Sequence, residues 1–166
     1  MHKNITKYFF IGFLFYGAAA FQASAKESAE IVFSMSVPRP GCSVSVESSR
    51  NLGELKPGKQ EHPDIPVTIA CSGTVKTALT AEPVDRRKLL TDNKTLFVPI
   101  GGEEGPHLRL VDDNGLAIKL TGMKSDAFCT NTGEGQTCYV TPLTNVRKST
   151  PVGKGSVAIR FNVVYL

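Results

Sequence analysis

Apolar and polar residues alternate along much of this chain, with short segments cut by turns. Ala29, Ile31, Phe33, Met35 and Val37 interleave with Glu30, Val32, Ser34 and Ser36 until Pro38 and Pro40 stop the run. Cys42, Val44 and Val46 share one face of residues 42–48, and Val67, Ile69 and Cys71 share one face of residues 66–72. Residues 74–82 read as a further strand beyond Gly73, and residues 96–100 as a short one before Gly101-Gly102. Residues 107–120 predict a hairpin. Leu108 and Leu110 alternate, Asp113-Asn114-Gly115 turns, and Leu116, Ile118 and Leu120 alternate again. Residues 138–143 add a short strand. Val157, Ile159, Phe161, Val163 and Tyr165 line one face of a final strand, with Ala158, Arg160, Asn162, Val164 and Leu166 on the other. No amphipathic helix, repeat or low-complexity linker interrupts this pattern, which is that of an antiparallel β protein.

The first 25 residues do not belong to it. His2, Lys3 and Lys7 precede an apolar run of about 14 residues, too short to span a bilayer comfortably, and Ala23-Ser24-Ala25 forms a cleavage site. Residues 1–25 therefore read as a secretory signal peptide. Their removal takes two lysines and no acid, so the formal charge falls from +4 to +2. The only dense basic run left, Arg86-Arg87-Lys88, reads as a solvated loop, and nucleic acid is not an expected partner.

Export changes the meaning of the cysteines. Cys42, Cys71, Cys129 and Cys138 are an even set in an oxidising compartment, which favours disulfides. Cys42 and Cys71 both point to the apolar face of an alternating strand. Cys129 and Cys138 flank a polar stretch with two glycines, the composition of a loop closed at its base. The expected pairs are Cys42–Cys71 and Cys129–Cys138. A zinc site fails on ligand spacing, and beyond residue 25 only His62 and His107 remain. Eight or nine strands with a disulfide in one domain point to an all-β, immunoglobulin-like sandwich.

Catalytic chemistry is hard to find. His62 sits between Glu61 and Asp64 in a Pro-containing polar loop, and His107 has no Cys or Ser partner. Gly101-Gly102-Glu103-Glu104-Gly105 is acidic and precedes no helix, so it would repel phosphate. Glu103/Glu104 and Asp112/Asp113 read as solvated neighbours rather than a hydrolytic pair. No enzyme activity and no cofactor are expected.

One ordered set of features remains. Gly41-Cys42-Ser43-Val44-Ser45-Val46 is followed by Asn51-Leu52-Gly53-Glu54-Leu55. Then comes Ile65-Pro66-Val67-Thr68-Ile69-Ala70-Cys71, and the chain closes on an alternating strand with penultimate Tyr165. With the export signal, this resembles a pilin subunit of the chaperone–usher pathway of Gram-negative bacteria. The resemblance covers essentially all of residues 26–166 and is weakest over 83–152, where Cys129 and Cys138 are additional to the family's usual disulfide.

The resemblance implies an incomplete immunoglobulin-like β-sandwich, completed by a donated strand. Residues 26–37 would be an N-terminal donor-strand extension and residues 38–166 the pilin domain. A periplasmic chaperone would lend a strand, and at the outer-membrane usher the extension of a neighbouring pilin subunit would replace it. Ala29, Ile31, Phe33, Met35 and Val37 would fill the neighbour's groove, worth about 7–12 kcal/mol gross before ordering costs. The acceptor groove would be lined by Val157, Ile159, Phe161, Val163 and Tyr165, with the Leu166 carboxylate as an anchor for chaperone cations. Met35 stands where family donors often carry Gly, which asks for a roomier pocket in the partner. The implied product is a fimbrium on the cell surface that supports adhesion. The alternative is a single-domain adhesin, binding a host receptor through loops such as 83–106 or 129–138, or a self-sufficient periplasmic or surface ligand-binding β-sandwich module.

Overall fold

Two long strands carry the architecture. The structure, a computed structural model, describes residues 31–166. The expected signal peptide (1–25) and Ala29 lie outside the described residues. The chain divides after Val37 into two units. In the first, residues 31–37 form neither helix nor strand, and Ile31, Val32, Phe33, Met35 and Val37 are exposed. The alternation there had predicted a strand. Alternation assigns faces, but a strand exists only when a ladder partner takes up its backbone donors and acceptors.

The second unit, Pro38–Leu166, holds seven strands: β1 (Cys42–Ser45), β2 (Gly58–Glu61), β3 (Ile65–Pro83), β4 (Thr95–Ile100), β5 (Glu103–Val111), β6 (Phe128–Val146) and β7 (Ile159–Tyr165). Single 3-10 turns occur at Arg86–Lys88 and Lys124–Asp126. The order is β1-β3-β6-β5-β4, with β2 also on β6 and β7 also on β3, and every ladder is antiparallel. The first half of β3 lies between β1 and β6, and its second half pairs with β7. The far half of β6 carries β5 and β2. One chain segment thus belongs to both layers of the sandwich. Val67, Ile69, Leu79, Leu96, Leu108, Leu110, Leu120 and Val140 fill the space between them.

Several boundaries differ from the sequence pattern. Residues 66–72 and 74–82 are one strand, because β3 runs through Gly73 with a register shift between Ala70 and Val75 instead of breaking. Residues 138–143 are likewise a piece of β6, which also takes in the polar stretch 130–137. That stretch is nonetheless folded back. The Cα atoms of Cys129 and Cys138 are 6.1 Å apart, where nine residues of extended chain would span about 30 Å. The predicted hairpin keeps its turn, closed by Gly115 N–H on the Asp112 carbonyl at 2.8 Å. Its second arm is not a strand: it meets the first through an isolated bridge, Val111 to Ala117, and through the Asp112 N–H on the Leu116 carbonyl at 3.0 Å and the Ile118 N–H on the Leu110 carbonyl at 2.9 Å. Ile118 and Leu120 are still buried, so alternation identified their facing but not their ladder. Two strand segments had no apolar signal. β2 is Gly-Lys-Gln-Glu, and β5 begins at Glu103 because Gly101 and Gly102, at φ +59° and +90°, close a two-residue hairpin from β4.

Candidate functional site: an open edge along the last strand

The β3–β7 ladder is where the core stops being sealed. On β3, Leu79 and Ala81 are fully buried. Directly opposite, Val163 pairs with Leu79 and Phe161 with Ala81. These two and Ile159 are only half-buried, though they pack on the same core cluster. Burial therefore falls across a single strand spacing of about 4.8 Å. β7 forms a ladder with β3 alone, so among the described residues its other edge is unpaired. Other half-buried apolar residues around the core include Val44 of β1, Leu52 in the loop before β2, Leu89, Val98 of β4, Phe128 of β6 and Val157 on the approach to β7. An apolar layer that is half-covered along one strand edge can accept another strand, and it has the backbone groups to hold one.

Both ends of β7 are fixed by specific contacts. Before it, the chain passes so close to β4 that a Cβ on Gly155 would meet the Pro99 carbonyl at 2.5 Å and Val98 Cγ1 at 2.9 Å. Only glycine fits that approach. At the far end, the Cys42 N–H donates to Tyr165 Oη at 3.0 Å, and the Leu166 N–H donates to the Lys76 carbonyl at 3.1 Å. On the outward face, Glu82 opposes Arg160 in the ladder and binds Arg86 Nη2 at 2.6 Å. The Arg86 hydrogen bond, helped by the charges of Arg86 and Arg160 and by Asn162, holds the Glu82 carboxyl below its ordinary range despite some desolvation.

The cysteines are bonded as Cys42–Cys71 and Cys129–Cys138. The first joins residues that face each other across the β1–β3 ladder, so it ties neighbouring strands of one sheet. The second closes the folded-back stretch of β6, where Gln136 Nε2 donates to the Cys129 carbonyl at 2.7 Å. The two histidines among the described residues sit in ordinary polar contacts, His62 with Thr144 Oγ1 at 2.8 Å and His107 with Glu104 at 2.8 Å. Sequence reasoning did not find the two cationic concavities flanking β7. One, of about 320 Å³, is lined by Arg39, Val75, Lys124, Tyr165 and Leu166. The other, of about 400 Å³, is lined by Lys88, Pro99, Lys154, Gly155 and Ser156. Their lysines and arginines are scattered in sequence, and only the fold collects them.

No family model matches the chain, and no curated protein does. Solved structures do. The chain is similar to a subunit of a chaperone–usher pilus whose structure addresses rod uncoiling, at 18% identity and a TM-score of 0.55, covering 85% of this chain and 97% of that one. It is also similar to the P pilus rod subunit PapA, at 19% identity and a TM-score of 0.54, covering 75% of this chain and 99% of that one. The fold is thus the all-β, immunoglobulin-like fold of these subunits.

Proposed function

We propose that this protein is a structural subunit of a surface fimbria, polymerising by donor-strand exchange. In this reading residues 26–37 of one copy add to the open edge of β7 in the next, and a periplasmic chaperone occupies that edge until an outer-membrane usher exchanges the two. The carrying observation is the fall in burial from Leu79 and Ala81 to Val163 and Phe161 along an edge with no ladder partner. The exposed alternating residues Ile31, Phe33, Met35 and Val37 are the complementary half. Main-chain bonds would supply affinity and alternate side chains the register. The subunit fold shared with pilus rod proteins agrees with this reading. The fimbrium would stand on the cell surface and support adhesion.

A thermal melt tests it on two oxidised versions of the chain. One lacks residues 1–37. The other is the same with residues 26–37 appended after Leu166 through a flexible linker. The expected result is an aggregating protein turned into a monomer melting tens of degrees higher. A stable monomer without the appended strand, unchanged by adding it, overturns the proposal.

A further inference from the structure

The two cationic concavities lie at opposite ends of β7, and they make the direction of an incoming strand a question of charge. Arg39 and Lys124 stand beside Tyr165 and Leu166; the one anion on that lining is the Leu166 carboxylate, which the two cations outnumber. Neither cation forms an ion pair with another described residue. The segment that would occupy the edge is itself polarised. Its alternating run begins at Ala29, with Glu30 interleaved on the other face, Glu27 just ahead and Lys26 outermost, so the head carries two acids against one lysine. Every ladder in the domain is antiparallel. A strand continuing that pattern along β7 carries its acidic head to the Tyr165 end.

We infer that Arg39 and Lys124 form a docking site for the acidic head, Glu27 and Glu30, of the donor segment of a second copy of this chain. This rests on the strand-donation reading and names its partner: the chain is complementary to itself. The apolar side chains of the donor supply binding, and the charge pair sets direction and speeds encounter. Opposite charges brought together at a partly exposed site act mainly on the association rate and are screened by salt, with a Debye length of about 8 Å at physiological ionic strength.

The test uses residues 26–166 with both disulfides formed and a fluorescent synthetic peptide of residues 26–37, followed by anisotropy. Peptide carrying Glu27→Lys and Glu30→Lys is expected to associate about tenfold more slowly at low salt, with the difference fading at about 0.5 M salt. In the chain carrying Arg39→Glu and Lys124→Glu the preference should invert, the reversed peptide associating faster than the natural one. Lys88→Glu with Lys154→Glu, at the other end of β7, should leave the natural peptide's rate unchanged. If both peptides associate with the natural chain at one rate and one salt dependence, the charge assignment falls while strand donation stands. If the Lys88 and Lys154 substitutions slow the natural peptide and those at Arg39 and Lys124 do not, the donor runs the opposite way and the assignment is wrong. If no peptide binds, strand donation fails and this inference with it.

Discussion

The backbone of Cys42 and the phenol of Tyr165, 123 positions apart in sequence, meet in a 3.0 Å hydrogen bond. Cys42 is also the residue bonded to Cys71, so one position anchors β1 covalently to β3 and by hydrogen bond to the end of β7. The open edge therefore rests on a frame held at its far end as well as along its ladder.

Tyr165→Phe removes that bond and leaves the ring. The Cys42 N–H then loses its acceptor in a half-buried place, a cost of about 1 kcal/mol. Denaturant unfolding should show a lower midpoint at an unchanged slope. An unchanged midpoint would mean that the phenol does not hold β7.

Donor and acceptor substitutions should separate cleanly. Ile31→Asp or Phe33→Asp is expected to block incorporation into fibres while leaving capture by the chaperone intact. Phe161→Asp or Val163→Asp should abolish capture and leave the subunit degraded in the periplasm. Normal fibres from the first pair contradict the donor role of residues 26–37. Soluble chaperone-bound protein from the second contradicts the acceptor role of β7.

Asp92 gives the domain an acid-sensitive joint. Its carboxylate is partly desolvated, but it accepts from Thr95 Oγ1 at 2.6 Å, from the Lys94 and Thr95 N–H groups at 3.0 and 2.9 Å, and from Arg109 at 2.8 Å. These donors win over desolvation and bring its pKa down to about 2. A depressed folded-state pKa contributes stability that is complete above the ordinary carboxylate value and is lost as pH falls toward 2. The side chain is 37% exposed, so solvent screening leaves a contribution of about 1 kcal/mol. Asp92→Asn should lower stability by that amount at neutral pH and flatten the loss between about pH 4 and 2 in acid titration followed by circular dichroism. A variant whose acid profile matches the parent would show the network to be energetically silent.

The second disulfide closes a short ring and the first a longer one. In the chain-entropy account, replacing Cys129 and Cys138 by Ser costs about 2.5–3 kcal/mol, and replacing Cys42 and Cys71 costs about 3.5 kcal/mol. The order is measurable by denaturant unfolding of the two double variants. The Cys129/Cys138 variant should remain folded, because Cys42–Cys71 still bonds β1 to β3.

What could be read from residues alone followed burial. Val67, Ile69 and Cys71 declared β3's inner face, and Ile159, Phe161 and Val163 declared β7's, because side chains of a strand packed on one face must alternate. β2 was invisible because Gly-Lys-Gln-Glu carries no apolar signal; its strand exists only because Leu143–Val146 offers a ladder. The continuity of β3 past Gly73 and of β6 past Gly133 was hidden for the reverse reason. Glycine reads as a break, yet a register shift absorbed each one. At the site, both faces of β7 were legible from the alternation, but its unpaired edge was not: it is a property of the assembled sheet, and only the family resemblance implied it.

The β3–β7 ladder runs through seven consecutive pairs with no register shift, from Thr77–Tyr165 to Pro83–Ile159, whereas the β3–β6 ladder slips twice. Hydrogen bonds in an antiparallel ladder lie across the strands. A pull directed along β7 is therefore shared by all of its bonds at once and meets them in shear. The same pull on β6 reaches its bonds in separate groups, which can yield in turn. Tension carried through β7 meets the longest unbroken ladder of the domain, and stretching should spend itself first in the slipped region around Ala70 and Val75.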